Sequence, residues 1–171
     1  AYIGENFQIG QSRVILEPRT LAKLLDALDI HNDELVLDIG TGLGYSSAII
    51  SLIAEVVIAV EDDTSLASEA EEILSEIGLD NVVIQVSKLE DGAPEHGPYD
   101  VIIIQGGIEE IPVSILNQLK DGGRVGAIFV EDGLGTAKIG FKLNDKINWR
   151  YSFNAAAPVL PGFFKQKDFA L

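Results

Sequence analysis

The sequence, 171 residues long, contains no cysteine, no methionine, one tryptophan and two histidines. Without cysteine there is no disulfide framework, no thiolate metal site and no cysteine nucleophile. This fits a reducing compartment, and a cytoplasmic location is the expectation. Basic residues are scarce, with 12 Lys+Arg against 27 Asp+Glu and a net charge of −15. Neither nucleic acid nor an anionic membrane is expected as a partner, because both demand a cationic surface. Apolar runs are of strand length, far short of the roughly 20 residues that span a bilayer. The start, AYIGENFQIG, lacks the basic and apolar regions of a secretory leader. The missing methionine, initiator included, is read as the mark of a trimmed piece of a longer chain. No internal repeat of about 20–50 residues is present.

What remains is an ordinary globular composition, 47% hydrophobic and 23% charged, which excludes disorder and suits one domain over residues 1–171. Residues 1–17 show no clean period and are expected to be a loose N-terminal segment. Pro18 suits a first helical turn, and Leu21, Leu24, Leu25 and Leu28 follow as one apolar stripe. Strands are expected at 34–40, 55–61, 81–86, 99–104 and 124–130. Helices are expected at 45–53, from Leu66 to Gly78, and at 111–119. The last stretches, 137–143 and 147–153, alternate around Asn144-Asp145-Lys146 as a hairpin does. Strand–helix units followed by a hairpin predict a doubly wound, mostly parallel seven-stranded α/β sheet with an antiparallel C-terminal hairpin.

The first strand runs into Asp38-Ile-Gly40-Thr41-Gly42-Leu-Gly44-Tyr45. Glycines between strand and helix let a ligand approach the backbone, and in open α/β sheets that crevice is where ligands bind. The spacing is G-x-G-x-G, not the dinucleotide G-x-G-x-x-G, and no phosphate-loop Gly-Lys-Ser/Thr follows. Asp38 would repel a pyrophosphate but hold an ammonium group. Glu61, 21 residues beyond Gly40 at the next strand's end, can accept from both hydroxyls of a ribose. Its alternative is a solvated acid at a helix start, beside Asp62 and Asp63. A ribose with a cationic or zwitterionic tail describes S-adenosylmethionine.

LVLDIGTGLGY (Leu35–Tyr45) resembles motif I of the class I, Rossmann-like methyltransferases and is most similar to that of the protein-L-isoaspartate O-methyltransferase family. PEHGPYDVIII (Pro94–Ile104), LNQLKDGGRV (Leu116–Val125) and the tail at Ala157–Gly162 are similar to later signatures of that family. The resemblance covers most of the chain from Pro18 onward and implies S-adenosylmethionine as cofactor. It implies contacts from Asp38, Gly40 and Gly42 to the methionine end, with Thr41 and Gly44 in the same loop. It further implies Glu61 and its neighbour Asp62 at the ribose, and Ser87 and Lys88 near adenine. The implied substrate is an isoaspartyl protein or peptide. The sequence departs from the family pattern in having Ser87-Lys88-Leu89 for an acid near adenine, and Val14 and Leu16 where acceptor-site hydroxyls are expected. No counterpart of the family's N-terminal helical segment is expected within these residues.

Methyl transfer to a carboxylate needs alignment and water exclusion more than a strong base, because the nucleophile is already ionised. The absence of a catalytic dyad agrees with that. Two acceptor-side candidates stand out. Gln105 either contacts the acceptor or makes a loop hydrogen bond; Arg13 either pairs with an anionic acceptor or sits in water. His31 and His96 read as surface loop residues, not metal ligands, and Trp149 as hairpin packing. Gly44-Tyr-Ser46-Ser-Ala48 misses a hydrolase nucleophile elbow. Three functions stay open: a protein carboxyl methyltransferase, a methyltransferase with a small-molecule acceptor, and a non-enzymatic donor-binding module.

Overall fold

Period-two alternation of β-branched residues decides the architecture. In the computed structural model, which describes residues 5–167, Val36, Val57, Val101 and Ile103 pack into one apolar cluster. Their neighbours Leu37, Ile39, Ile58, Val60, Ile102 and Ile104 pack into a second on the opposite face. Strands apolar on both sides must lie inside a sheet covered on both sides. Residues 1–4 of the expected loose segment and 168–171 of the expected domain lie outside the described residues.

The chain runs β1 (Phe7–Gly10), β2 (Arg13–Ile15), α1 (Pro18–Leu28), β3 (Leu35–Ile39), α2 (Tyr45–Ser51), β4 (Val56–Glu61), α3 (Thr64–Glu76) and β5 (Val82–Val86). It continues through β6 (Tyr99–Ile108), α4 (Val113–Leu116), β7 (Leu119–Glu131), β8 (Leu134–Leu143) and β9 (Lys146–Asn154). The main sheet has seven strands in the order β5-β4-β3-β6-β7-β8-β9. The first five strands of this order are parallel and the last two antiparallel, as expected. Asn144 and Asp145, both at positive φ, close the β8–β9 hairpin. Among the described residues no helix is long and apolar enough to cross a membrane.

Four expectations need correction. The loose N-terminal segment holds an antiparallel hairpin, β1–β2, outside the main sheet. The helix expected at 111–119 contracts to α4, because Leu119 joins β7 and pairs with Tyr99. The strand expected to stop at Ile104 continues through Gln105-Gly106-Gly107. There the tail runs past, and a Cβ on Gly107 would stand 2.6 Å from the Ala157 carbonyl oxygen. The tail at Ala157–Gly162, which the family resemblance likens to a C-terminal strand, pairs at a single bridge, Gly107 with Val159.

Arg124 on β7 ties the end of α1 to the start of β3. Its Nε and Nη2 donate to the Leu28 and Asp29 carbonyls, each at 2.6 Å, and Nη1 and Nη2 reach Glu34 at 2.7 and 2.8 Å. Arg124→Met keeps the apolar stem and removes these bonds. It is expected to lower stability by about 2 kcal/mol, read as a lower urea midpoint at unchanged slope; an unmoved midpoint contradicts this.

Candidate functional site

From β3 the chain builds outward to β4 and β5, then returns to place β6 on the other side of β3. That reversal opens a crevice at the carboxyl ends of β3 and β6, the usual ligand position in such sheets. Gly40 and Gly42 turn the chain there at φ of +83° and +59°, a region that side chains disfavour. The bend is fastened to β4, since the Gly40 and Thr41 amides donate to the Val60 carbonyl at 2.9 and 3.2 Å. The Gly42 amide donates to Glu61 Oε2 at 2.7 Å.

Asp38 is fully buried on an otherwise apolar strand and holds neighbours from its own chain. Ser46 and Ser47, in the first turn of α2, each donate to Oδ2 at 2.6 Å. Gln105 Nε2 donates to Oδ1 at 2.9 Å. Gln105 makes this bond from within β6 and not from a loop. Thr41 shares a 2.8 Å hydroxyl contact with Ser47. Burial pushes the Asp38 carboxyl above its ordinary value, and the hydrogen bonds from the serines and Gln105 pull the other way without reversing it.

Glu61 is fully buried as well, so it is not a solvated helix-opening acid. Asp63 takes that part instead, its Oδ1 accepting from the Ser65 and Leu66 amides at the head of α3. Glu61 faces Arg13 of the β1–β2 hairpin in a two-pronged ion pair, Nη1 to Oε1 at 2.8 Å and Nη2 to Oε2 at 2.6 Å. Nη1 also reaches Asp62 Oδ1 at 2.8 Å. Arg13 therefore does not sit in water; it is buried against two carboxylates, with its Nε–H unpartnered. Burial pushes the Glu61 carboxyl up, but the guanidinium and the other hydrogen bonds outweigh it and hold it below its ordinary value. Asp62 moves up, through burial and then through Glu61 beside it.

Ser87 and Lys88 follow β5 at the same end of the sheet. The Ser87 amide donates to the Glu61 carbonyl at 3.2 Å, and its hydroxyl donates to the Gly92 carbonyl at 2.8 Å. The bend is thus bordered by Asp38, Gln105, Glu61 and Arg13, with Asp62 and Ser87 next to Glu61 and Arg13. Sequence reasoning missed Ser46, Ser47 and Ile9. The first two were signalled by Asp38 itself, since an acid on a buried strand requires donors. Beside the bend lies a mostly apolar cleft of about 180 Å³ lined by Phe7, Ile15, Leu16, Pro18 and Tyr45, with the carboxylate-bearing Glu5 at its edge.

An acid held above its ordinary value favours the protonated form in the fold. Its stabilisation is complete below the unfolded value of about 3.9 and is lost as pH rises through the folded value. Asp38→Asn removes that loss. As pH rises from about 4, the melting temperature of Asp38→Asn relative to wild type is expected to move in the variant's favour; a constant difference contradicts it.

The family model for Protein-L-isoaspartate(D-aspartate) O-methyltransferase (PCMT) matches residues 1–148. A protein-L-isoaspartate O-methyltransferase of Syntrophus aciditrophicus is 35% identical over 149 residues, covering 85% of this chain and 68% of that protein. One from Methanocella arvoryzae is 38% identical, covering 73% of this chain and 68% of the relative. One from Myxococcus xanthus is 38% identical, covering 68% and 55%. The chain thus spans between about half and two thirds of its relatives' length. A solved structure described as a protein-L-isoaspartate O-methyltransferase superposes with a TM-score of 0.83 at 25% identity, covering 91% of this chain and 51% of that one. A Plasmodium falciparum structure, described as a complex with S-adenosyl-L-homocysteine, superposes at 0.79 with 20% identity and shares the fold, covering 93% and 81%. The chain belongs to the protein-L-isoaspartate O-methyltransferase family.

Proposed function

We propose that this chain is the donor-binding part of an S-adenosylmethionine-dependent carboxyl methyltransferase whose acceptor is an isoaspartyl residue of damaged protein. The observation that carries the reading is Glu61, a fully buried acid at a strand tip whose carboxylate accepts from the amide of Gly42 in the glycine bend. The relatives' descriptions name the same reaction. In kind, the residues fit the donor: an acid able to take a ribose diol, and glycines that admit a ligand to the backbone. In room they do not yet fit it, because Arg13 already holds Glu61.

When bound, S-adenosylmethionine supplies a methyl group on a positively charged sulfur. The chain's own residues bind and align. Glu61 would take the ribose, with Asp62 beside it and with Ser87 and Lys88 toward the base. Gly40, Gly42 and Gly44 would admit the methionine end, and Thr41 and Asp38 fix the turn beneath it. Asp38 also fixes Gln105, which lines the small cavity at Gly40, Thr41 and Tyr45 and would face the acceptor. An isoaspartyl carboxylate is ionised at neutral pH, so its alignment with the methyl group is the main requirement. A cytoplasmic location belongs to the same proposal, in keeping with a sequence that offers no cysteine for a disulfide. The acid excess argues against nucleic acid and anionic membranes as partners.

A second reading has its own observation. Val14 and Leu16 are buried where the family resemblance expects hydroxyls, and the neighbouring cleft is mostly apolar, which suits a small, less polar acceptor. The discriminating assay offers labelled S-adenosylmethionine and two peptides of identical sequence, one isoaspartyl and one aspartyl, to the protein expressed from its natural reading frame. Label on the isoaspartyl peptide alone is the expected result. Background label on both, with donor binding intact, favours the small acceptor.

A further inference from the structure

We propose that the β1–β2 hairpin is an intramolecular occupant of the donor site, with Arg13 standing in place of the ribose and Ile9 covering the bend, so that the donor enters only when this strap lifts. The inference rests on the donor reading above and concerns how that site is regulated.

Hydrogen-bond capacity at Glu61 is the first argument. Oε1 accepts from Arg13 Nη1 at 2.8 Å and from the Asp62 and Asp63 amides at 3.0 and 3.1 Å. Oε2 accepts from Arg13 Nη2 and the Gly42 amide at 2.6 and 2.7 Å. A carboxylate offers about four lone-pair sites, and five donors already crowd this one. A ribose diol brings two more. The backbone amides are fixed by the fold, so Arg13 is the partner that must leave. The same count excludes the opposite role, in which Arg13 pre-orients Glu61 for the sugar, because no acceptor capacity remains to be oriented.

Space is the second. A Cβ at Gly42 would stand 2.6 Å from Ile9 Cδ1, and one at Gly40 would stand 3.5 Å from Arg13 Nη2. The hairpin therefore lies against two of the three glycines that a donor would approach, Gly40 and Gly42. The cavity left near Gly40, Thr41 and Tyr45 is about 10 Å³, room for one water at most.

The hairpin is also built to be released. Its two ends are pinned: Asn6 donates to the Ala156 carbonyl at 2.7 Å and accepts from the Glu17 amide at 2.8 Å, while Val14 and Leu16 are buried. Between these pins Phe7, Gln8 and Gly10 are exposed, and the pairing slips between Gln8 and Gly10. A two-stranded hairpin of this length is marginal unaided. Its main hold on the crevice is the contact of Arg13 with Glu61 and Asp62, and that contact leaves the buried Arg13 Nε–H unpaired. An unpaired buried donor weakens the closed state relative to an open one.

Calorimetry with S-adenosylhomocysteine on wild type, Arg13→Ala and Ile9→Ala tests this. Ile9→Ala leaves the ion pair intact and serves should Arg13→Ala fail to fold. The expected result is affinity at least tenfold higher in Arg13→Ala, about 1.4 kcal/mol, and several-fold higher in Ile9→Ala. Amide hydrogen exchange supplies a second readout: the ligand should speed exchange over residues 7–13 of wild type. Equal or weaker affinity in both variants, or unchanged exchange with ligand bound, overturns the strap while leaving the donor reading standing. No binding by any of the three proteins at millimolar ligand overturns both.

Discussion

A guanidinium laid flat against a carboxylate, both removed from water, organises the ligand end of this fold. Arg13 and Glu61 are separated by 48 residues and belong to different sheets, yet each is the other's main compensation for burial. Taking two charges out of water is expensive, and removing one partner of such a pair typically costs about 3–5 kcal/mol. The hairpin and the tip of β4 thus depend on each other. In a chain with 27 acids and 12 bases, Arg13 is the basic side chain among the described residues that is buried, and it is placed where three acids, Glu61 to Asp63, follow in succession.

Asp38 shows the other way of burying a carboxylate. It has hydroxyls and an amide for company in place of a cation, and its carboxyl is displaced upward where that of Glu61 is displaced downward. The two acids sit on adjacent parallel strands at the same end of the sheet, so their environments separate two tasks. Asp38 sets the shape of the bend through Ser46, Ser47 and Gln105. Glu61 makes a contact that another set of donors can replace. A rigid floor beneath an exchangeable cover follows from that division.

The parallel sheet was legible because its strands are buried on both faces and read as uninterrupted apolar runs such as Val56–Val60. The C-terminal hairpin was legible through Asn144 and Asp145, which tolerate positive φ. The glycine bend and Glu61 followed from spacing alone. The β1–β2 hairpin was not legible, since its strands are short, β1 is mostly exposed, and its position depends on an ion pair with a residue far along the chain. For the same reason Arg13 was assigned to an acceptor or to water, and its partner was missed. The shortening of α4 has a local cause: Leu119 gains a β-ladder partner in Tyr99, and tertiary pairing overrides helical periodicity there.

If the proposed donor site is right, Glu61 serves either Arg13 or a donor's ribose, never both. The most direct measurement is a crystal structure of the protein with S-adenosylhomocysteine bound. Both ribose hydroxyls are expected on Glu61, with the guanidinium withdrawn and the hairpin displaced from Gly42. A bound nucleoside in that crevice with Arg13 still at its present 2.6 and 2.8 Å from Glu61 would contradict it.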